Sequence, residues 1–153
     1  MIITKIGNVL DISQGIIVHG CNCRGVMGAG IAKQIKTRYP IAYDIYIDEH
    51  RTKGLYLGRI TQVEVEPNKI IVNANTQQDY GAHTCQVDYY AVEVAFRRVN
   101  ELAKYILANR GIVLDVCFTA LGAGLGGGNW QIISEIIDRS VDDIFNKTLF
   151  ILE

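Results

Sequence analysis

The chain has 153 residues, of which 49% are hydrophobic and 20% charged, and its formal net charge is −1. This length suits one domain, residues 1–153, and the composition excludes a disordered chain. The near-zero charge argues against an extended nucleic-acid surface or a membrane as partner. No apolar run approaches the roughly 20 residues that span a bilayer, and the start, MIITKIGNVLD, lacks a signal-peptide pattern. With only four irregularly spaced cysteines, we expect a cytoplasmic protein.

In chain order, the first half predicts strands that alternate with helices. IITKI and GIIVHG are typical of strands, and the second is predicted to be buried on both faces because nearly all of it is apolar. A helix is predicted from Gly30 until Pro40, which can open the next helix at its first turn. GRITQVEV and KIIVNANT flank Pro67-Asn68, which indicates a hairpin.

The second half contains the clearest helix, with Asp88 as its predicted N-cap and Gly111 at its end. Next come a predicted buried strand, IVLDVCFTAL, a helix within NWQIISEIIDRSVDDIF capped by Asn129, and a last strand, TLFIL. Helices between strands, together with one hairpin, predict a layered α/β domain with a mixed sheet. The apolar stripe predicted for the clearest helix comprises Val92, Phe96, Val99, Ala103 and Ile106.

Two glycine-rich stretches, RGVMGAG and LGAGLGGG, each follow a buried strand and precede a helix. Glycines let the backbone approach a ligand closely, and the backbone N–H groups at a helix N-terminus bind anions. Two such loops at one end of a sheet can hold two linked phosphates from opposite sides. Gly122, Gly124 and Gly127 also fit the dinucleotide-binding fingerprint, but the further βαβ unit that it requires does not follow.

Histidine and cysteine residues raise the alternatives of a metal site and a redox pair. The spacing Cys-x-Cys fits neither a typical zinc site nor a typical redox pair, so we expect no metal and no cofactor. His19 is either catalytic or a structural histidine bonded to a backbone carbonyl. The candidate zinc ligands are His19, Cys21, Cys23, His83 and Cys85.

Four stretches, IVHGCNCRGVMGAGIAKQI, NANTQQDYG, VDYYAVEVAF and LGAGLGGGNW, resemble the macrodomain family of ADP-ribose-binding modules. The resemblance covers nearly the whole chain, with these stretches in the right order. The nearest branch contains the yeast-type ADP-ribose-1″-phosphate phosphatase and the terminal ADP-ribose protein glycohydrolase. The resemblance implies a three-layer α/β/α sandwich with a central mixed sheet and a single macrodomain over residues 1–153.

The resemblance also implies a set of ligand-binding residues. Asn22 matches the asparagine that binds the distal ribose, and Asn8 stands where the family has an adenine-binding aspartate, so base choice is open. The segment expected along the ribose and phosphates is Met27, Gly28, Ala29, Gly30 and Ile31, and the expected diphosphate loop is Gly122, Ala123, Gly124, Leu125, Gly126 and Gly127.

Two departures bear on the chemistry. The glycohydrolase branch has an aspartate where this chain has Gly126, and a nucleophilic lysine near the position of Gln77 or Gln78. Neither glycine nor glutamine can form the lysine–sugar adduct, so that mechanism is expected to be absent.

Three functions therefore remain. The preferred one is a phosphatase acting on ADP-ribose-1″-phosphate, in which His19 protonates the leaving oxygen or orients water, Asp79 is the base or an orienting group, and Asn22 holds the ribose. The alternatives are hydrolysis of ADP-ribose from protein or nucleic acid, and binding of ADP-ribose without turnover. The predicted partner is ADP-ribose or a 1″-substituted derivative.

Overall fold

The structure of the protein is a computed structural model, which describes residues 1–80, 86–123 and 126–152. Within these ranges the chain forms six strands, four α-helices and a short 3-10 helix, Val9–Asp11. The strands are β1 (Ile2–Ile6), β2 (Gly15–Asn22), β3 (Ile60–Glu66), β4 (Lys69–Gln77), β5 (Val116–Phe118) and β6 (Lys147–Ile151). The helices are α1 (Gly30–Arg38), α2 (Pro40–Thr52), α3 (Tyr89–Arg110) and α4 (Trp130–Ser140).

One sheet forms the middle of the molecule, with the strand order β1-β6-β5-β2-β4-β3. Strands β1, β6, β5, β2 and β4 run parallel to one another, and β3 pairs antiparallel with β4. The sheet is therefore mixed, as the hairpin at Pro67-Asn68 predicted. Asn68 closes that hairpin with φ at 59°, a conformation that asparagine tolerates better than most residues.

Alternate residues of the central strands face different helices. Ile16 and Val18 pack in a core with α3 and α4, whereas Ile17 packs with Ile35 of α1 and Ala42 of α2. Because side chains alternate along a strand, one helix pair covers each face of the sheet. The predicted three-layer α/β/α sandwich is confirmed, and β2 is buried on both faces as expected.

The helix boundaries follow the sequence signals. Asp88 accepts a hydrogen bond from the Ala91 N–H at 2.9 Å, and Gly111 ends α3 in the left-handed region with φ at 68°. Pro40 opens α2, and Asn129 caps α4. The whole predicted apolar stripe of α3 is buried. Within the described ranges, no helix is both long and apolar enough to cross a membrane.

Two elements are shorter than predicted. Strand β5 is confined to three residues because its neighbour β6 begins at Lys147, the partner of Val116. Helix α4 ends at Ser140 because Val141 turns into an extended conformation and the Asp142 N–H donates to the Asn100 side chain. The residues after Ser140 therefore belong to the connection to β6.

Candidate functional site

A cavity of about 840 Å³ lies at the carboxyl ends of the parallel strands. Its lining comes from the residues that end or follow β1, β2, β4, β5 and β6, and from the first turn of α1. Four strand spacings separate β1 from β4 in the sheet, which corresponds to roughly 19 Å at ~4.8 Å per spacing. The cavity is therefore an elongated groove across the sheet edge.

The two ends of the groove differ in polarity. Near β1 and β6 it is lined by Val9, Phe150 and Ile151, with the amide of Asn8 beside them. Near β2 and β4 it is lined by polar side chains, among them Asn22 and Gln77. The first end suits a flat apolar group, and the second suits a group with many hydroxyls.

The N-terminus of α1 opens into the middle of the groove. Ala29 gives this helix no side-chain cap, and the Lys33 N–H is the donor that reaches the Ala29 carbonyl, at 3.3 Å. The N–H groups of the first turn, from Gly30 onward, have no intrahelical acceptor. None of the described lining residues carries a charge. An anion here would therefore be bound by backbone N–H groups and the helix dipole.

The second glycine-rich loop contributes Gly122 and Gly126 to the groove, whereas Gly124 and Leu125 lie outside the described residues. Gly126 has no room for a side chain, because a Cβ there would lie 2.8 Å from the Gly122 carbonyl oxygen and 2.9 Å from Gln77 Oε1. This crowding gives a physical reason for glycine at the position where the resemblance places an aspartate.

Several predicted ligand-binding residues line the groove: Asn8, Gly28, Ala29, Gly30 and Ile31, with Gly122 and Gly126. Three others do not. Met27 is buried in a core cluster with Tyr46, while Ala123 and Gly127 lie in the second loop outside the lining. Met27 thus supports its loop from beneath, because an apolar side chain at that place is drawn into the core.

Asn22 is 7% exposed, lines the polar end and organises the tight loop 22–26. Its Oδ1 accepts from the Arg24 N–H at 3.0 Å and the Val26 N–H at 3.3 Å, and its Nδ2 donates to the Val26 carbonyl at 2.8 Å. The amide orientation is thereby fixed. The second hydrogen on Nδ2 is the group that this side chain can offer to a ligand.

His19 lies beneath α2 and does not line the groove. Its Nε2 donates to Asn73 Oδ1 at 2.5 Å, since the Asn73 Nδ2 is itself a donor to the Ala42 carbonyl. Burial lowers the pKa of His19 to about 4, although the bond to Asn73 opposes the shift. The predicted role for His19 as acid is therefore corrected: the ring is neutral near pH 7 and buried away from the cavity.

Asp79 directly precedes Tyr80, which lines the groove. Its side chain is 46% exposed, and its Oδ2 lies 3.5 Å from the Arg24 guanidinium. This exposed ion pair links the loop after β4 to the loop 22–26. Asp79 is therefore outside the described lining but close to it in the chain.

The histidine and cysteine side chains form no metal centre in the described ranges, which hold no group of three or more candidate ligands. His83 and Cys85 lie outside those ranges. Cys21 lines the groove with its Sγ 3.6 Å from His19 Nε2, and burial raises the pKa of this thiol. A protonated thiol beside a neutral imidazole is a poor nucleophile.

Sequence reasoning missed Gln77, Tyr80 and Phe150 as lining residues. Each of the three lies at the carboxyl end of a strand or within a few residues of it. The strand order would have located them, but the sequence does not give that order.

Comparison with known proteins identifies the family. The Macro domain family matches residues 18–137. The chain belongs to the macrodomain family. A Scheffersomyces stipitis relative of this macrodomain, named ADP-ribose 1″-phosphate phosphatase, is 38% identical over 88% of the chain and 87% of its own length.

A second relative, from Thermus aquaticus, is named DNA ADP-ribosyl glycohydrolase and is 26% identical over 96% of the chain. The macrodomain spans only 39% of the length of that protein. A macrodomain protein from Streptomyces coelicolor has a similar structure, with a TM-score of 0.81, 25% identity and 99% of each chain covered.

Proposed function

We propose that this macrodomain binds ADP-ribose along the groove and hydrolyses ADP-ribose-1″-phosphate to ADP-ribose and inorganic phosphate. The observation that carries the proposal is the uncapped N-terminus of α1, which opens midway along a groove whose described lining has no charge. A diphosphate placed there would accept hydrogen bonds from the backbone. The adenosine on one side of it and the ribose on the other would then reach the two ends of the groove.

The orientation of the ligand follows from the polarity of the two ends. The adenine lies between Val9 and Phe150, with its edge toward Asn8, and the distal ribose lies against Asn22 and Gln77. Ile31 and Gly30 flank the diphosphate. An apolar slot with one amide suits a base, and convergent amides suit a sugar.

The chemistry then takes place at the polar end. Water attacks phosphorus, and the bond between phosphorus and the 1″ oxygen breaks, so the 1″ oxygen leaves with the sugar and takes up a proton from solvent. Backbone N–H groups stabilise the charge on the phosphoryl oxygens, which is the main protein contribution to such reactions. Asn22 holds the distal ribose in place, and Asp79 orients the water or accepts its proton. His19 is not used.

The catalytic assignment of Asp79 is tested by phosphate release from ADP-ribose-1″-phosphate. We expect Asp79→Asn to reduce turnover by ~10²-fold, the usual effect of losing a general base, with little change in the Kd for ADP-ribose. The exposed Asp11→Asn, whose carboxylate pairs with Arg38 away from the groove, is the control. Normal turnover in Asp79→Asn would remove Asp79 from the mechanism.

A second candidate function is removal of ADP-ribose from protein or nucleic acid. The open rim favours it, because Tyr80 is 58% exposed beside the polar end and leaves room for a macromolecule. Release of ADP-ribose from a modified protein or oligonucleotide, without phosphate release from the 1″-phosphate, would establish this function instead. If calorimetry shows that ADP-ribose binds and neither activity is found, the protein would be a module that binds ADP-ribose without turnover.

We also propose that residues 1–153 act as one macrodomain in the cytoplasm. The free thiols of Cys21, Cys23 and Cys117, all buried, support a reducing compartment.

A further inference from the structure

Tyr46 is a fully buried tyrosine on α2 whose hydroxyl reaches the back of the groove. Its oxygen lies 2.6 Å from the Asn22 carbonyl oxygen and 3.0 Å from Asn22 Oδ1. Burial raises the pKa of this phenol, so the hydroxyl stays protonated and acts as a donor. Tyr46 itself does not line the groove.

The contacts around Tyr46 lock the loop 22–26 against α2. The Tyr46 hydroxyl contacts Asn22 at the start of this loop. Gly25, with φ at 80°, sits so close to α2 that a Cβ would lie 3.0 Å from the His50 ring and 3.1 Å from Ile47 Cδ1. Three side chains of α2 therefore set the position of the loop, namely Tyr46, Ile47 and His50.

The consequence for Asn22 is that both its carbonyl group and its side chain are held from behind. The Asn22 Oδ1 accepts from two backbone N–H groups and its Nδ2 donates to the Val26 carbonyl, while the Tyr46 hydroxyl lies 3.0 Å from Oδ1, so rotation of the amide would break several buried hydrogen bonds at once. Asn22 can then offer its remaining Nδ2 hydrogen to the groove in one fixed direction.

We propose that Tyr46 is a positioning residue, which acts through Asn22 to set the geometry of the distal sugar during turnover. This inference rests on the function proposed above. It assigns part of the site to a helix that contributes no described residue to the groove.

The test is a double-mutant cycle of Tyr46→Phe and Asn22→Ala, with Tyr43→Phe as the control. Tyr43 lies on the same helix, with its ring beneath the Lys36 ammonium and near the Tyr46 ring, but within the described residues its hydroxyl makes no hydrogen bond to Asn22. We expect Tyr46→Phe to lower kcat by about tenfold while KM and the Kd for ADP-ribose change by less than about threefold. In the Asn22→Ala background, Tyr46→Phe should cause no further loss, because its effect passes through Asn22.

Two readouts separate positioning from general stability. Melting temperatures are measured for every variant, and 4-aminophenylalanine at position 46, which retains a donor, should restore kcat even if Tyr46→Phe folds poorly. Additive losses in the cycle, or no rescue by the amino analogue, would overturn the inference while leaving the proposed function intact. A wild-type protein with neither turnover nor ADP-ribose binding would overturn the proposed function, and the inference with it.

Discussion

The Asn8 amide sets the hydrogen-bonding character of the apolar end of the groove. Its Oδ1 accepts from the Leu10 N–H at 2.9 Å and caps the 3-10 helix that follows β1. A backbone N–H cannot donate to an amide nitrogen, so this bond fixes which atom faces which way. Nδ2 remains as a donor, whereas the aspartate expected from the resemblance would present a second acceptor.

Asn8→Asp therefore tests base recognition with almost no change in shape. Aspartate caps as well as asparagine does, so the fold should persist, while the free atom changes from donor to acceptor. We expect the affinity for ADP-ribose to rise by about tenfold relative to the hypoxanthine analogue, because an acceptor pairs with the adenine amino group. Calorimetry with both ligands measures the ratio.

Asn129→Asp provides the matched control for that substitution. Asn129 also caps a helix, by accepting from the Gln131 N–H at 2.9 Å, but it lies outside the groove lining. An unchanged ratio in Asn8→Asp, or the same change in both variants, would show that the base does not contact Asn8.

At the scale of elements, the loop before α1 should accept a larger side chain without loss of stability, although that side chain would block a ligand. A Cβ at Gly28 would make ordinary contact with Val26 Cγ1, at 3.6 Å, and Gly28 does not have a positive φ. We expect Gly28→Val to lower ADP-ribose affinity at least about tenfold with little change in melting temperature, because the side chain fills the groove. Calorimetry and thermal unfolding measure the two effects.

Gly111→Ala should show the opposite pattern. Gly111 ends α3 with φ at 68° and open space around its Cα, so alanine there is strained without touching any neighbour. The free energy of unfolding should fall by about 1 kcal/mol while ADP-ribose affinity stays unchanged.

If Gly28→Val bound ADP-ribose with normal affinity, the first glycine-rich loop would not contact the ligand.

Local signals were enough to predict most elements and their boundaries. Pro40, Asp88 and Gly111 each act through their own backbone geometry, which sequence reveals directly. The end of α4 depends instead on a hydrogen bond from Asp142 to Asn100, a distant residue. For the same reason, sequence predicted glycine loops that line the groove, but it did not predict that His19 is buried outside the lining, since burial depends on which helix covers the strand.

At the scale of the whole molecule, the buried His19–Asn73 pair makes stability depend on pH. The His19 pKa is lowered from 6.5 to about 4 in the folded protein, so the unfolded chain binds more protons between these values. The contribution of His19 to the free energy of unfolding is therefore complete above pH 6.5. It falls as pH drops toward 4, by about 3 kcal/mol in total.

Urea unfolding at pH 7 and pH 5 measures this dependence in the wild type and in His19→Gln. Glutamine retains a donor for Asn73 but does not titrate, so the variant should lose less stability between the two pH values. The carboxylates titrate in both proteins and cancel in the comparison. Equal losses would mean that His19 is not the group responsible.

The pairing of the first and last strands affects how the protein should be handled. Because β1 and β6 are parallel neighbours, the start of β1 and the end of β6 lie at opposite edges of the sheet. Ile151 and Leu152 line the groove, whereas the Met1 ammonium pairs with Asp138, 2.7 Å away. A purification tag or fused protein joined after residue 152 would emerge at the mouth of the groove and compete with the ligand, so binding assays call for attachment ahead of Met1.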